Sequence, residues 1–332
     1  MKRLLFLFIP AAIAFMGACG GYRTTAGEGA DSAAAAPAQF EADSAMASIR
    51  RQCAFGPRVP GSEAHRRCGD YIAAAFRSLG LDVSEQRAEV VDYANRRLPL
   101  RNIIASWRPD EAERVLICAH WDSRPWADAD PDSANHRKPV PAANDGASGV
   151  AVMLEAARHL AALGVDFGVD FICFDLEDGG APYWEDDIAP ADGTDWCLGS
   201  RYWARTPHRA DYVARWGILL DMVGTERATF RLEGFSMRYA ASVAGRLWAA
   251  ARTAGAADFF LNEDGGYATD DHVPLNETAG IPTVDVIPCM SGAGSNFGPT
   301  WHTVADTPEK ISPATLRAVG QTLLQMLFEE KG

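Results

Sequence analysis

Short apolar runs recur along this chain, and three of them stop at an acid or an imidazole. Residues 113–119 (ERVLICA) run into His120, Trp121 and Asp122, and residues 169–175 (VDFICFD) run into Glu177 and Asp178. Residues 216–220 (WGILL) end at Asp221. Runs that are apolar at nearly every position, rather than at every second one, suit strands buried on both faces. Helical periodicity separates them over 41–52, 63–79, 148–163, 199–206, 236–253 and 312–329, and further strand-like runs lie at 83–92, 100–107, 228–233 and 282–288. That alternation predicts an α/β fold: a single domain with a mixed, mostly parallel central sheet and helices on both faces. The 332 residues suffice for one large domain or two small ones. Such sheets collect ligands outside the C-terminal ends of their strands. The polar residues that end the runs then share one edge.

Other candidates join them. Residues 139–143 (PVPAA) lead to Asn144, Asp145 and Gly146 just ahead of a helix, and Asp270, Asp271, His272, Trp301 and His302 lie nearer the C-terminus. Alone, each has an ordinary explanation. An aspartate before a helix usually caps it, and a charged residue after a strand usually opens a solvated loop. Gathered at one edge they become unusual, because crowded carboxylates repel and desolvate one another unless a cation joins them. Imidazole and carboxylate donors without thiolate suit a catalytic zinc, which keeps one position open for water or substrate.

The stretches HWD at 120–122, NDGASGVAVMLEAAR at 144–158, LED at 176–178, LLDMVG at 219–224 and WHTVADTPEKI at 301–311 resemble the zinc aminopeptidase superfamily of the M28 type, and within it the glutaminyl cyclases. The resemblance covers roughly residues 50–330. It implies a zinc aminopeptidase-like fold, with Asp145, Asp178 and His302 as zinc ligands and Glu177 as the proton-transfer residue. His120 and Asp221 match the further ligands of two-metal aminopeptidases, whereas the cyclases hold one zinc per chain. Asp221 and Asp270 would share a proton with Glu177 in a hydrogen-bonded acid network. Residues 179–198 form a long, aromatic-bearing link like that of the cyclases, which makes Trp184 the expected pocket tryptophan, with Phe297 and Trp301 as further pocket walls. Asp285 stands where animal cyclases carry a histidine, so the proton network there is wired differently.

The resemblance implies cyclisation of an N-terminal glutamine to pyroglutamate with release of ammonia, on peptides or proteins. An M28-type aminopeptidase would use the same atoms with two metals. A lipoprotein that captures zinc or peptides without turnover is the third reading, and it leaves Glu177 without a purpose. A formal net charge of −13 argues against a nucleic-acid partner.

Lys2 and Arg3 precede an apolar run from Leu4 to Met16, too short to span a bilayer and typical of an export signal. It ends at Gly17-Ala18-Cys19, which resembles a bacterial lipobox with Met16 where leucine is usual. Residues 1–18 are thus expected to be a lipoprotein signal, Cys19 the lipidated residue, 19–40 a Gly/Ala/Ser-rich tether and 41–332 the catalytic domain, anchored on the periplasmic side of the outer membrane. A plain secretory signal is the simpler alternative. In an oxidising compartment Cys53 and Cys68, 15 positions apart, are the expected disulfide, worth about 3 kcal/mol in the chain-entropy model. Cys118 and Cys173 read as buried, and His65, His136, His159 and His208 as structural or surface residues.

Overall fold

The runs 114–120 and 168–174 are buried at every position and form the centre of a six-stranded sheet. The computed structural model describes residues 37–290 and 296–330. Helices α1 (Ala42–Cys53) and α2 (Glu63–Ser78) precede strands β1 (Asp82–Val91), β2 (Arg97–Trp107) and β3 (Arg114–His120). Next come α3 (Ala147–Leu163), β4 (Gly168–Phe174), α4 (Leu198–Arg205), β5 (Gly217–Leu220) and β6 (Phe230–Leu232). The rest comprises α5 (Gly234–Thr253), β7 (Phe260–Asp264), α6 (His272–Glu277), β8 (Thr283–Val286) and α7 (Pro313–Glu329).

The sheet order is β1-β2-β4-β3-β5-β8. Strands β4, β3, β5 and β8 pair in parallel, and the β1–β2 hairpin adds to β4 antiparallel. Side-chain alternation then divides the core. Val115, Ile117, Phe171 and Cys173 face a large cluster with α1, α2, α3, α5 and α7, while Leu116, Cys118, Ile172 and Phe174 face a smaller one with Trp203 of α4 and Leu275 of α6. Helix α3 lies directly on β3 and β5. A Cβ on Gly149 would come within 2.2 Å of the Leu220 carbonyl oxygen, so this glycine permits the contact.

At the N-terminal ends of the parallel strands a buried ion pair seals the sheet. Asp170 accepts hydrogen bonds from Arg114, Ser106 and Tyr212, which satisfies the charge that burial would otherwise penalise. The opposite, C-terminal edge carries His120, Glu177, Asp178 and Asp221.

Four expectations change. The strand read at 228–233 leaves the main sheet and pairs as β6 with β7 in a separate two-stranded sheet. Strand β7 and helix α6 escaped the sequence pattern, since β7 turns from apolar to charged within five residues and α6 is short and holds Pro274. The tether ends before residue 40: Phe40 is 1% exposed, its N–H donates to Gln321 Oε1, and Gln321 donates back to the Ala38 carbonyl. Cys53 and Cys68 do not pair, and both are free thiols. Cys68 sits on the core-facing side of α2, where burial pushes its thiol up to about 12, and Cys53 turns its Sγ toward the Pro141 carbonyl, 3.9 Å away. Sequence spacing carried no information on these side-chain directions. The expected signal, Cys19 and most of the tether lie outside the described residues.

Candidate active site and metal centre

Turns that only strong neighbours could hold follow the ends of β4 and β5, and a third holds His302 in its loop. Leu176, Met222 and His302 all have positive φ, at 55°, 50° and 53°. For non-glycine residues that conformation costs about 1–2 kcal/mol, and it persists where the surroundings over-determine it. Around Leu176 they do. Asp175 accepts the Leu176 and Arg101 N–H groups and a contact from His65 Nε2, whose ring stacks on Trp121 at 4.1 Å. Asp122 accepts the N–H groups of Glu177 and Asp178 at 3.2 and 3.3 Å. Both acids of the pair are therefore aimed by the strand next door.

Asp145 is fixed in the same way. Asp306 accepts the N–H groups of Asn144 and Asp145 at 2.8 and 3.0 Å. Asn144 in turn binds Gly224 N–H and Thr225 Oγ1, tying the start of α3 to the turn after Asp221. Burial, with the charge of Asp145 beside it, pushes Asp306 up to about 7.

Two triads result, and Asp145 belongs to both. Donor atoms of Asp145, Asp178 and His302 lie within 4.8 Å of one another, as do those of His120, Asp145 and Asp221. His120 Nε2 is 3.0 Å from Asp145 Oδ1 and 3.1 Å from Asp221 Oδ1, and His302 Nε2 is 3.2 Å from Asp178 Oδ1. Yet His120 Nε2, Asp145 Oδ2, both Asp178 oxygens and Asp221 Oδ1 are buried without a hydrogen-bond partner. Lone pairs that converge on shared points instead of on one another's protons are the arrangement of donors around a cation. Burial, with Asp178 alongside, holds the Asp145 carboxyl up at about 6, which a divalent ion would reverse. The oxygen and nitrogen donor set fits zinc.

An outer layer braces these ligands. Arg124 is buried, hydrogen-bonds both oxygens of Asp128, and reaches the Asp178 carbonyl and carboxylate. Asp128 Oδ1 faces His302 Nδ1 at 3.4 Å. One guanidinium thus orients two ligands, directly and through a carboxylate–histidine pair. Asp128→Asn is expected to weaken zinc binding by about 10–100-fold, measured by chelator competition. Unchanged affinity would mean that His302 is held by its ring contacts alone.

Glu177 stands beside the triads rather than in them. Its Oε1 accepts from the Cys197 thiol at 3.5 Å, and Glu177, Cys197 and Asp270 form a third close group. Burial raises its carboxyl well above the usual range; Asp178, Asp270 and Asp271 add to this and His120 opposes it. Asp270 is raised by burial and then by Asp221 and Asp271. Asp271, pushed up to about 7 mainly by burial, is anchored by Ser200 Oγ at 2.5 Å. Asp285 is buried farther back, where His272 lies 3.7 Å away and pairs with Glu233 at 3.0 Å. The histidine of this network sits on α6, not in the strand that holds Asp285.

Among the described residues, a cavity of about 230 Å³ opens onto Asp145, Glu177, Asp178, Asp221, Asp270 and His302. That is below the roughly 300–1,000 Å³ typical of sites for drug-sized ligands, and it suits one residue of a chain. Phe297 and Trp301 line it as expected, with ring centroids 5.3 Å apart, backed by Met222, Ala268 and Ile287. Trp184 does not line it. That ring packs with Trp126, Tyr183 and His136, under the Arg137 guanidinium, away from the cavity lining. Trp196 takes the place instead: it stacks at 8° over His302, opposite Trp301, and under Arg124 at 4.7 Å. A loop has no period from which to choose between its two tryptophans. The available signal was that Trp196 lies just ahead of the helical run that opens at residue 199; in the structure the N–H of its neighbour Cys197 donates to the Glu177 carbonyl at 2.9 Å. Trp196→Ala should lower kcat/KM by about tenfold through the lost stacking and cation–π contacts, and Trp184→Ala by less than about twofold. The reverse order would restore Trp184 to the pocket.

Residues 102–327 match the model of peptidase family M28. The solved structure of a glutaminyl cyclase from Tannerella forsythia is 46% identical, with a TM-score of 0.85 over 89% of this chain and 100% of that one. A Zn-dependent exopeptidase from Parabacteroides distasonis is 43% identical, with a TM-score of 0.85 over 88% of this chain and 99% of its own. Aminopeptidase YwaD of Bacillus subtilis is 28% identical over 69% of this chain and 44% of the relative. The chain spans less than half the length of the curated relatives it matches. With the family model spanning β2 to α7 and the strand-end ligands assembled, the chain belongs to peptidase family M28.

Proposed function

We propose that the protein is a zinc-dependent glutaminyl-peptide cyclotransferase, converting an N-terminal glutamine of peptides or proteins to pyroglutamate with release of ammonia. The observation that carries it is Glu177, free of both ligand triads, facing an aromatic-walled cavity of one-residue size. The structural likeness to solved glutaminyl cyclases over nearly the whole described domain supports it.

Asp145, Asp178 and His302 would hold the zinc, which supplies Lewis acidity toward the side-chain carbonyl. Every other role falls to the chain itself. Phe297, Trp301 and Trp196 confine the glutamine so that its α-amine lies against its own δ-carbon, and proximity within one residue supplies much of the rate. A bond forms from that nitrogen to the δ-carbon, the bond to the amide nitrogen breaks, and ammonia leaves. Glu177 takes the proton from the attacking amine and returns it to the departing nitrogen. Asp270, grouped with it and likewise raised by burial, shares that proton between the two transfers.

One observation favours a second reading, that of an aminopeptidase. His120, Asp145 and Asp221 are also assembled as a triad, so a second metal has donors in place. Incubation with a glutamine-initiated peptide separates the two. Ammonia release with loss of the free amine supports the cyclase; free N-terminal residues from mixed peptides, with two zinc ions per chain, would replace it by the peptidase. The lipobox sequence ending at Cys19 supports export and a lipid anchor on the periplasmic side, which metabolic labelling with a palmitate analogue would test.

A further inference from the structure

Tyr267 lines the catalytic cavity, yet it is 73% exposed. Its loop is nevertheless fixed. Gly234 N–H donates to the Gly266 carbonyl at 2.6 Å, Gly265 N–H to the Leu232 carbonyl at 2.9 Å, and Ala268 N–H to Glu233 Oε1 at 3.2 Å. The ring meets Phe235 edge-on at 5.0 Å and lies flat against Gly234, where an added Cβ would come within 2.5 Å of it. An aromatic face is therefore held rigidly in water at the rim of the site, at little cost in side-chain freedom.

The ligand triads and Glu177 occupy the buried end of the cavity, so the reacting glutamine points inward and its peptide leaves past the exposed wall. The first side chain outside is that of the second residue. We propose that Tyr267 is a specificity-determining residue, packing against the substrate's second side chain and favouring aromatic and large aliphatic groups there. This rests on the cyclase reading above.

The test compares kcat/KM for Gln-Phe, Gln-Leu and Gln-Gly amides and for glutamine amide, by ammonia release. Tyr267→Ala is expected to lose about fivefold on Gln-Phe amide, mostly in KM, and less than about twofold on Gln-Gly amide and glutamine amide. Tyr267→Phe should keep the wild-type ranking, and Gly234→Ala, which lifts the ring without deleting it, should move it toward that of Tyr267→Ala. An equal loss on all four substrates, or an unchanged ranking in Tyr267→Ala, overturns the assignment while leaving the cyclase intact. Wild-type protein silent on all four overturns the cyclase reading, and the assignment with it.

Discussion

Glu177→Gln is expected to cut kcat by about 10²–10⁴-fold, the usual worth of a positioned acid–base group, with zinc content unchanged. Glutamine preserves the shape of the side chain and its contact with the Cys197 thiol, and it belongs to neither ligand triad. What it cannot do is receive a proton. Stability should hold or rise, because one member of a crowded carboxyl group becomes neutral; Asp178, Asp270 and Asp271 all repel charge at this position. Ammonia release under saturating substrate, beside metal analysis of the same sample, reads both halves. Activity above a tenth of wild type would remove Glu177 from the chemistry. Loss of zinc would place it among the ligands instead.

His302→Ala is expected to lose the metal and the activity together. The variant deletes one of three ligands, removes the ring on which Trp196 and Trp301 both stack, and leaves Asp128 without its imidazole partner. Zinc affinity should fall by more than the roughly 10–100-fold typical of an outer-layer loss. A ligand at about 1,000 times its Kd stabilises the native state by about 4 kcal/mol, so stripping zinc from the wild type should lower Tm by roughly 8 °C for a domain of this size. The same chelator treatment should leave the melting of His302→Ala almost unmoved. A variant that retains full zinc, or that melts lower on chelation as the wild type does, would show that the metal sits elsewhere.

Much of this is legible in the sequence. Buried strands advertise themselves by unbroken hydrophobicity, and the residues that end them must cluster because parallel strands end at one edge. His120, Glu177, Asp178 and Asp221 are therefore readable from the pattern, and Asp145 and His302 from the motifs they share with the family. What escaped was decided by side-chain direction and loop path, neither of which has a period. Trp196 displaced Trp184 for that reason, and Cys68 turned into the core rather than toward Cys53. Arg124 and Asp128 escaped because a buried arginine looks like any surface one until its partners are known. Tyr267 lies just past a charged strand that the pattern failed to mark at all.

Asp145, Asp178 and His302 reach the metal from segments scattered between residues 145 and 302, each steered by backbone turns that exist only in the completed domain. An unfolded chain holds no local fragment able to capture zinc, in contrast to small zinc modules whose ligands lie a few residues apart. Metallation is then the final event in maturation, downstream of a slow, long-range assembly of parallel strands. The domain should reach its native topology in zinc-free medium and acquire competence on later titration with the ion, with one late kinetic phase whose rate scales with metal concentration.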